Sequence, residues 1–159
     1  MRRSNRSASS WTNQSCSSLT SITIGNSVTS IGDDAFSSCS SLTTVTIGNS
    51  VTTIGYGAFY YCSSLTTVVI KSTNQLTFSE MVFWRCEKLS TIYFYSLIEP
   101  KYSTATDCYS DGCGSYDYKL SCAPFTCNTP DEITIYVPKN YNSTATTFAG
   151  KSVTFKREL

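Results

Sequence analysis

The chain contains no histidine. That absence removes the commonest general base, every serine–histidine or cysteine–histidine nucleophile pair, and all imidazole metal ligation. Charge is scarce too: Asp, Glu, Lys and Arg make up 14% of the 159 residues, against roughly 25% in an average soluble protein. Ser, Thr, Asn and Tyr must therefore supply much of the wetted surface. A net charge of +1 argues against nucleic acid as a partner, which demands clustered Lys and Arg. The only basic run is Arg2, Arg3 and Arg6, inside a polar leader at residues 1–10. No segment reaches the roughly 18 to 20 apolar residues of a membrane-spanning helix, and the basic N-terminus lacks the apolar stretch of a secretory signal. Neither membrane insertion nor nucleic-acid binding is expected.

Other catalytic arrangements are missing as well. Asp33 and Asp34 are adjacent carboxylates, but the next copy of the same segment has Tyr56 and Gly57 there, and a working pair needs shaped burial to separate two pKa values. Glycines stand singly as turn residues rather than as a phosphate cradle. No enzyme activity and no cofactor are expected.

What the chain does have is repetition. CSSLTSITIGNSVTSIGDDAFSS at 16–38 is followed by CSSLTTVTIGNSVTTIGYGAFYY at 39–61, identical at 16 of 23 positions. A fixed period of this size is the signature of a solenoid or array. Marker cysteines fall at Cys16, Cys39, Cys62 and Cys86, in steps of 23, 23 and 24. Leu19, Leu42, Leu65 and Leu89 keep the same step, as do Ile22, Val45, Val68 and Ile92, and Ile24, Ile47, Ile70 and Phe94. Later in each unit come Ile31, Ile54 and Phe78, then the pairs Ala35-Phe36, Ala58-Phe59 and Val82-Phe83.

LTSITI and LTTVTI alternate apolar with hydroxylated residues, as half-buried strands do. Gly25 and Gly48 then permit positive φ in a turn, and VTSIG and VTTIG read as second, shorter extended pieces. One such coil cannot cover its own apolar face, whereas coils stacked about 4.8 Å apart turn each column into a continuous core strip. The expected fold is β-rich, a parallel sheet from stacked coils of about 23 residues with little α-helix.

These units closely resemble the BspA-like, Treponema pallidum-type leucine-rich repeats, with a consensus near Leu-x-x-Ile-x-Ile-Pro-x-x-Val-x-x-Ile-Gly-x-x-Ala-Phe-x-x-Cys. Gly25 and Gly48 stand where the family usually has Pro. ITIYVPKNYNSTATTFAGKSVTF, from Ile133, resembles the family's closing segment. The resemblance implies a right-handed leucine-rich-repeat solenoid, used for protein binding or adhesion on cell surfaces or in secreted proteins.

The organisation that follows is a leader at 1–10, repeats over 11–94 with units starting near 16, 39, 62 and 86, a Cys/Tyr-rich insertion at 95–132, and a terminal strand and cap at 133–159. Within the insertion Pro124-Phe125 returns near the Ala-Phe slot. A long loop without secondary structure is uncommon unless it is functional or cross-linked. Its Cys108, Cys113, Cys122 and Cys127 are disulfide candidates, most simply 108 with 113 and 122 with 127. Two alternatives stay open: a four-cysteine zinc site, for which the C-x4-C spacing is a weak signal, and free thiols. The column cysteines are expected to pack as small hydrophobes, since parallel Cβ atoms about 4.8 Å apart lie beyond the roughly 3.8 Å a disulfide prefers.

Two outward surfaces are binding candidates. Thr23, Thr46, Val69 and Tyr93 form one column of the exposed sheet face, which grows more aromatic toward the fourth unit; plain Thr strand surface is the alternative. At the corner, Ser37-Ser38 gives way to Tyr60-Tyr61 and then Trp84-Arg85. Stacking places Tyr60 beside Trp84, and Tyr61 beside Arg85 within cation–π reach; the alternative is that these rings pack against the insertion.

A non-enzymatic protein-interaction or adhesion module is the leading expectation, working outside the cell or at its surface. Eight cysteines and the sequons at Asn5, Asn13 and Asn142 are compatible with that location. A structural subunit or spacer in a larger assembly, with neighbouring subunits as partners, is the second. It is favoured by Thr12 and Asn13, which occupy the Ala-Phe slot of the first coil and leave its edge without an apolar cap. A carbohydrate-binding surface using Tyr60, Trp84 and Tyr93 is the third.

Overall fold

The structure is a computed structural model that describes residues 16–102, 133–141, 147–148 and 151–159. Each coil contributes a longer and a shorter strand. The longer ones are β1 (Ser21–Thr23), β3 (Thr44–Ile47), β5 (Thr67–Ile70) and β7 (Thr91–Phe94). The shorter ones are β2 (Ser30–Ile31), β4 (Thr53–Ile54), β6 (Thr77–Phe78) and β8 (Lys101–Tyr102). The chain closes with β9 (Ile133–Val137), β10 (Thr147–Phe148) and β11 (Lys151–Arg157). No helix occurs among the described residues.

The strands form two sheets, a seven-stranded one in the order β1-β3-β5-β7-β9-β11-β10 and a four-stranded one in the order β2-β4-β6-β8. All pairings are parallel except β10 with β11. Register follows the sequence period: Val45 lies between Ile22 and Val68, which in turn faces Ile92. The fold is therefore a parallel β-solenoid of leucine-rich-repeat type.

Why like residues stack on like is visible in the backbone. A buried N–H must find an acceptor, and around the corners alternate amides turn to the neighbouring coil. Phe36 N donates to Ala58 O at 2.8 Å and Ser38 N to Tyr60 O at 2.7 Å; one coil on, Phe59 N donates to Val82 O at 2.9 Å and Tyr61 N to Trp84 O at 2.8 Å. The amides between them bond within their own coil, as Ser37 N does to Asp34 O and Tyr60 N to Gly57 O. Threonine side chains reinforce the ladder: Thr66 Oγ1 donates to Thr43 O at 3.1 Å, and Thr43 Oγ1 to Thr20 O at 2.9 Å.

Alternating bond directions go with two left-handed residues in each of the three described corners. One column is Asp34, Gly57 and Met81, with φ of 52, 56 and 53°; the other is Ser38, Tyr61 and Arg85, with φ of 62, 60 and 57°. None is β-branched, which suits a conformation that crowds Cβ. Between them Phe36, Phe59 and Phe83 stack face to face, with centroids 5.4 and 5.5 Å apart and planes within 10°.

Three expectations need correction. The glycines of the first turns are not there for positive φ, because Gly57 is the only described glycine with one. Gly48 is instead required by close approach: a Cβ there would lie 2.7 Å from Ile24 O and 2.8 Å from Gly25 O. Second, the repeat, expected to stop at residue 94, continues into the second sheet, where Lys101 pairs with Thr77 and Tyr102 with Phe78. Both side chains are exposed, so apolar alternation could not signal a strand held by its backbone, through Lys101 N to Leu76 O at 2.8 Å.

The third concerns the column cysteines. Cys62 and Cys86 are buried free thiols, as packing predicts, but Cys16 and Cys39 form a disulfide with Cα atoms 4.9 Å apart. That separation is within the usual disulfide range. Coil spacing constrains Cα, and at a corner, unlike in a flat strand, the two Cα–Cβ bonds can converge.

At the far end Tyr141 closes the core, edge-on to Phe94 at 6.2 Å and tilted against Phe155 at 5.7 Å. The leader, Thr12-Asn13, the Pro124-Phe125 slot, the three sequons and Cys108, Cys113, Cys122 and Cys127, with their zinc alternative, lie outside the described residues.

Phe59→Ala should cost about 3 to 5 kcal/mol in a denaturant titration, as for other buried Phe truncations. Ser38→Gly should do the reverse and raise stability by about 0.5 to 1 kcal/mol, because it relieves a left-handed exposed residue. Gly57→Ala, by contrast, should destabilise, since its Cβ would meet Asp34 Oδ1 at 2.6 Å.

Candidate interaction surface

The corner just described positions the aromatic candidates. The residue pair that follows each corner Phe leads into the next column cysteine, so successive pairs lie one above another. In the first coil the pair is Ser37-Ser38, and nothing aromatic projects. In the next two, Tyr60 lies parallel to Trp84, with centroids 4.7 Å apart and planes within 7°. Tyr61 tilts against both, at 5.1 Å from Tyr60 and 5.6 Å from Trp84. The Arg85 guanidinium carbon stands 5.1 Å from the Tyr61 ring centre and 4.6 Å from that of Trp84. The expected neighbours thus meet.

Trp84 is the buried centre of the cluster, at 5% exposure, while Tyr61 at 39% and the nearby Tyr56 at 42% present their rings to solvent. Tyr56 was not anticipated. It is held by Asp33, whose Oδ1 accepts the Tyr56 N–H at 2.7 Å, and its hydroxyl reaches Met81 Sδ at 3.3 Å. The Asp33-Asp34 pair is therefore part of the coil-to-coil scaffold. Burial, and secondarily the charge of Asp33, raise the Asp34 pKa. Two donors in the cluster, Trp84 Nε1 and Arg85 Nε, are buried without a hydrogen-bond partner among the described residues.

The outer sheet face carries the second candidate. Register confirms the column Thr23, Thr46, Val69 and Tyr93 and extends it to Tyr136 on β9 and Lys156 on β11. Tyr93 and Tyr136 stack at 4.9 Å, and Lys156 Nζ lies 5.4 Å from the Tyr136 ring. Tyr136 and Lys156 were missed. The signal was present, since ITIYV places Tyr136 in the slot that TIYF gives Tyr93, but the residues between them hid the register.

Beneath the corner run the cysteines. Cys62 Sγ donates to Phe36 O, and Cys86 Sγ to Phe59 O, each at 3.2 Å. Burial pushes the Cys86 thiol well up, and its hydrogen bond with Cys62 adds to the rise. Among the described residues no group of three or more His, Cys, Asp or Glu side chains is placed to hold a metal, and no helix is long and apolar enough to cross a membrane.

Fold, register and corner geometry define a leucine-rich-repeat solenoid. Residues 7–110 match the family model of the BspA-type leucine-rich-repeat region, in six copies. The chain belongs to that family, whose members are typically non-enzymatic protein-interaction modules and usually surface or secreted proteins. No curated protein and no solved structure matches it.

The raised Cys86 pKa has a sign that can be checked. A thiol whose pKa is higher folded than unfolded stabilises fully below the unfolded value, roughly 8.5. That contribution is lost as pH rises above it, because the unfolded chain releases its proton first. With all cysteines held reduced, stability should therefore fall more steeply between about pH 8 and 10 than in Cys86→Ala, measured by urea denaturation across that range.

Proposed function

We propose that the chain is a non-enzymatic protein-interaction or adhesion module of a cell-surface or secreted repeat protein, and that the corner cluster of Tyr60, Tyr61, Trp84 and Arg85 is its contact surface. One observation carries this reading. Among the described corners, the position that changes from Ser-Ser to aromatic and cationic residues is also the one that builds a stacked cluster with Tyr61 exposed at its rim. Aromatic and Arg side chains dominate interface energies when held in place beforehand. The exposed rings of Tyr61 and the nearby Tyr56 favour a partner that presents apolar or aromatic side chains to them. Val69 and Tyr93, continued by Tyr136 and Lys156, form a second contact strip on the sheet face. The Cys16–Cys39 disulfide is compatible with an oxidising location.

The carbohydrate alternative is weakened at its proposed platform, because a sugar stacks on an open ring face. The Trp84 faces are taken by Tyr60 and Arg85, and the ring is almost wholly buried. A structural subunit remains the second reading, favoured by the unpaired long edge of β1 among the described residues.

The double variant Tyr60→Ser/Tyr61→Ser tests the first reading, because it restores the Ser-Ser pair that the same corner already accommodates. Binding to immobilised extracellular proteins and to intact cells should weaken by about 30-fold or more, the scale of a hot-spot loss, while the fold persists by circular dichroism. Unchanged binding would remove the corner from the interface. A chain found only as a self-associated species by sedimentation would favour the structural role.

A further inference from the structure

The four column cysteines occupy one backbone slot repeated coil after coil. Cys39, Cys62 and Cys86 each follow a left-handed residue, Ser38, Tyr61 and Arg85. Each donates its N–H to the corner Phe three residues back: Cys39 to Phe36 at 3.4 Å, Cys62 to Phe59 at 3.3 Å, Cys86 to Phe83 at 3.1 Å. Each then accepts the N–H of the Leu three residues on, at 3.0, 2.9 and 3.0 Å for Leu42, Leu65 and Leu89. Cys16 accepts from Leu19 in the same way, at 2.9 Å. In this slot the step from one coil to the next already supports a disulfide, since Cys16 and Cys39 are bridged.

Cys62 and Cys86 are the next two members, one coil step apart in the same register, and both are buried thiols. Each sulfur forms a single disulfide bond, so with Cys39 committed to Cys16 the neighbour left for Cys62 is Cys86. The two thiols are also neighbours in space, since Cys62 is, after burial, the group that raises the Cys86 pKa.

We infer that Cys62 and Cys86 are an oxidisable pair that closes a second coil-to-coil disulfide, giving a ladder linked 16–39 and 62–86 with an open gap between Cys39 and Cys62. The oxidant is an organic disulfide of the glutathione type. One thiol of the pair loses its proton and attacks a sulfur of the oxidant, forming a mixed disulfide and expelling the oxidant's other half as a thiolate. The second cysteine, deprotonated in turn, attacks the mixed disulfide and expels the remaining half. Two electrons pass to the oxidant, and its two thiolates take up the two protons released. Because burial keeps Cys86 protonated, closure needs the corner to open transiently or proceeds before the coils have fully packed.

The placement of this bond links it to the candidate surface. Cys62 directly follows Tyr61, and Cys86 directly follows Arg85, so the bond joins the two coils whose side chains build the aromatic cluster. Oxidation would lock that cluster, an effect that rests on the functional reading above, whereas the bond itself does not.

The test is to fold the full chain in a buffer of reduced and oxidised glutathione, denature it, and alkylate without reductant. Chymotryptic peptides cut after Phe36, Tyr61 and Leu65 then separate the column cysteines for mass spectrometry. The expected result is a Cys62–Cys86 linked peptide beside the Cys16–Cys39 one, abolished by reductant. In Cys86→Ser, Cys62 should be alkylated; in Cys39→Ser, the 62–86 link should persist. Alkylated Cys62 and Cys86 in protein whose Cys16–Cys39 bond has formed would overturn the inference. So would Cys62 linked to Cys39 or to an insertion cysteine. If the bond forms but partner binding is the same in oxidised protein and in Cys62→Ser/Cys86→Ser, the ladder stands and its link to the surface falls.

Discussion

Everything in this molecule depends on one requirement: the amides of each coil must find carbonyls on the next. In an ordinary sheet that holds for the strands alone, but here it also holds around the corners, where Ser38 N reaches Tyr60 O and Tyr61 N reaches Trp84 O. A closed circuit of lateral bonds leaves almost no freedom of register. Side chains are carried along by it, so each must accept whatever holds the same slot in the next coil, Phe on Phe at 36, 59 and 83 and Ile on Phe at 54 and 78. The apolar core is thus a consequence of backbone pairing as much as its cause, and stacked leucines, isoleucines and phenylalanines are what that geometry can bury without voids.

The same constraint explains how surface chemistry arises. Inward positions are held to a narrow range of volumes, whereas outward ones answer only to solvent and to the coil on either side. Divergence there is amplified, because a change in one coil lands directly on its counterpart in the next. Ser37, Tyr60 and Trp84 occupy one column, and the last two become a stacked pair only because both are large and flat. Val69, Tyr93, Tyr136 and Lys156 show a similar gradient on the sheet face. A charge-poor exterior with polar hydroxyl ladders on one stretch and an aromatic cluster on another lets a partner be met by shape and ring contact rather than by long-range electrostatic steering.

The repeating part of the architecture was legible in the sequence because side-chain identity and backbone register share one period. Leu42, Leu65 and Leu89 are buried as their spacing implies, and Tyr60, Trp84, Tyr61 and Arg85 meet as stacking requires. What was not legible has specific causes. Lys101–Tyr102 pairs through its backbone while both side chains face water, so no apolar pattern marked it. Gly48 looked like a turn glycine, but it is needed because a neighbouring coil passes close by. The Cys16–Cys39 bond was missed because a strand-like Cβ separation was assumed at a corner. Tyr136 belonged to a column that the intervening residues concealed.

The third coil holds one extra residue, and the structure shows where it goes. Ile47 faces Ile70, a step of 23, whereas Thr53 faces Thr77, a step of 24, so the surplus lies between them. There Ser72 is fully buried and donates to Val51 O at 2.6 Å, turning a misfit into a contact. The fourth coil copies the longer form, with Ile70 facing Phe94 and Thr77 facing Lys101. Length in such a chain is therefore quantised: adding or removing a whole coil would preserve the pattern of lateral bonds, whereas the single surplus residue of the third and fourth coils is taken up in the connector from the longer strand to the shorter one.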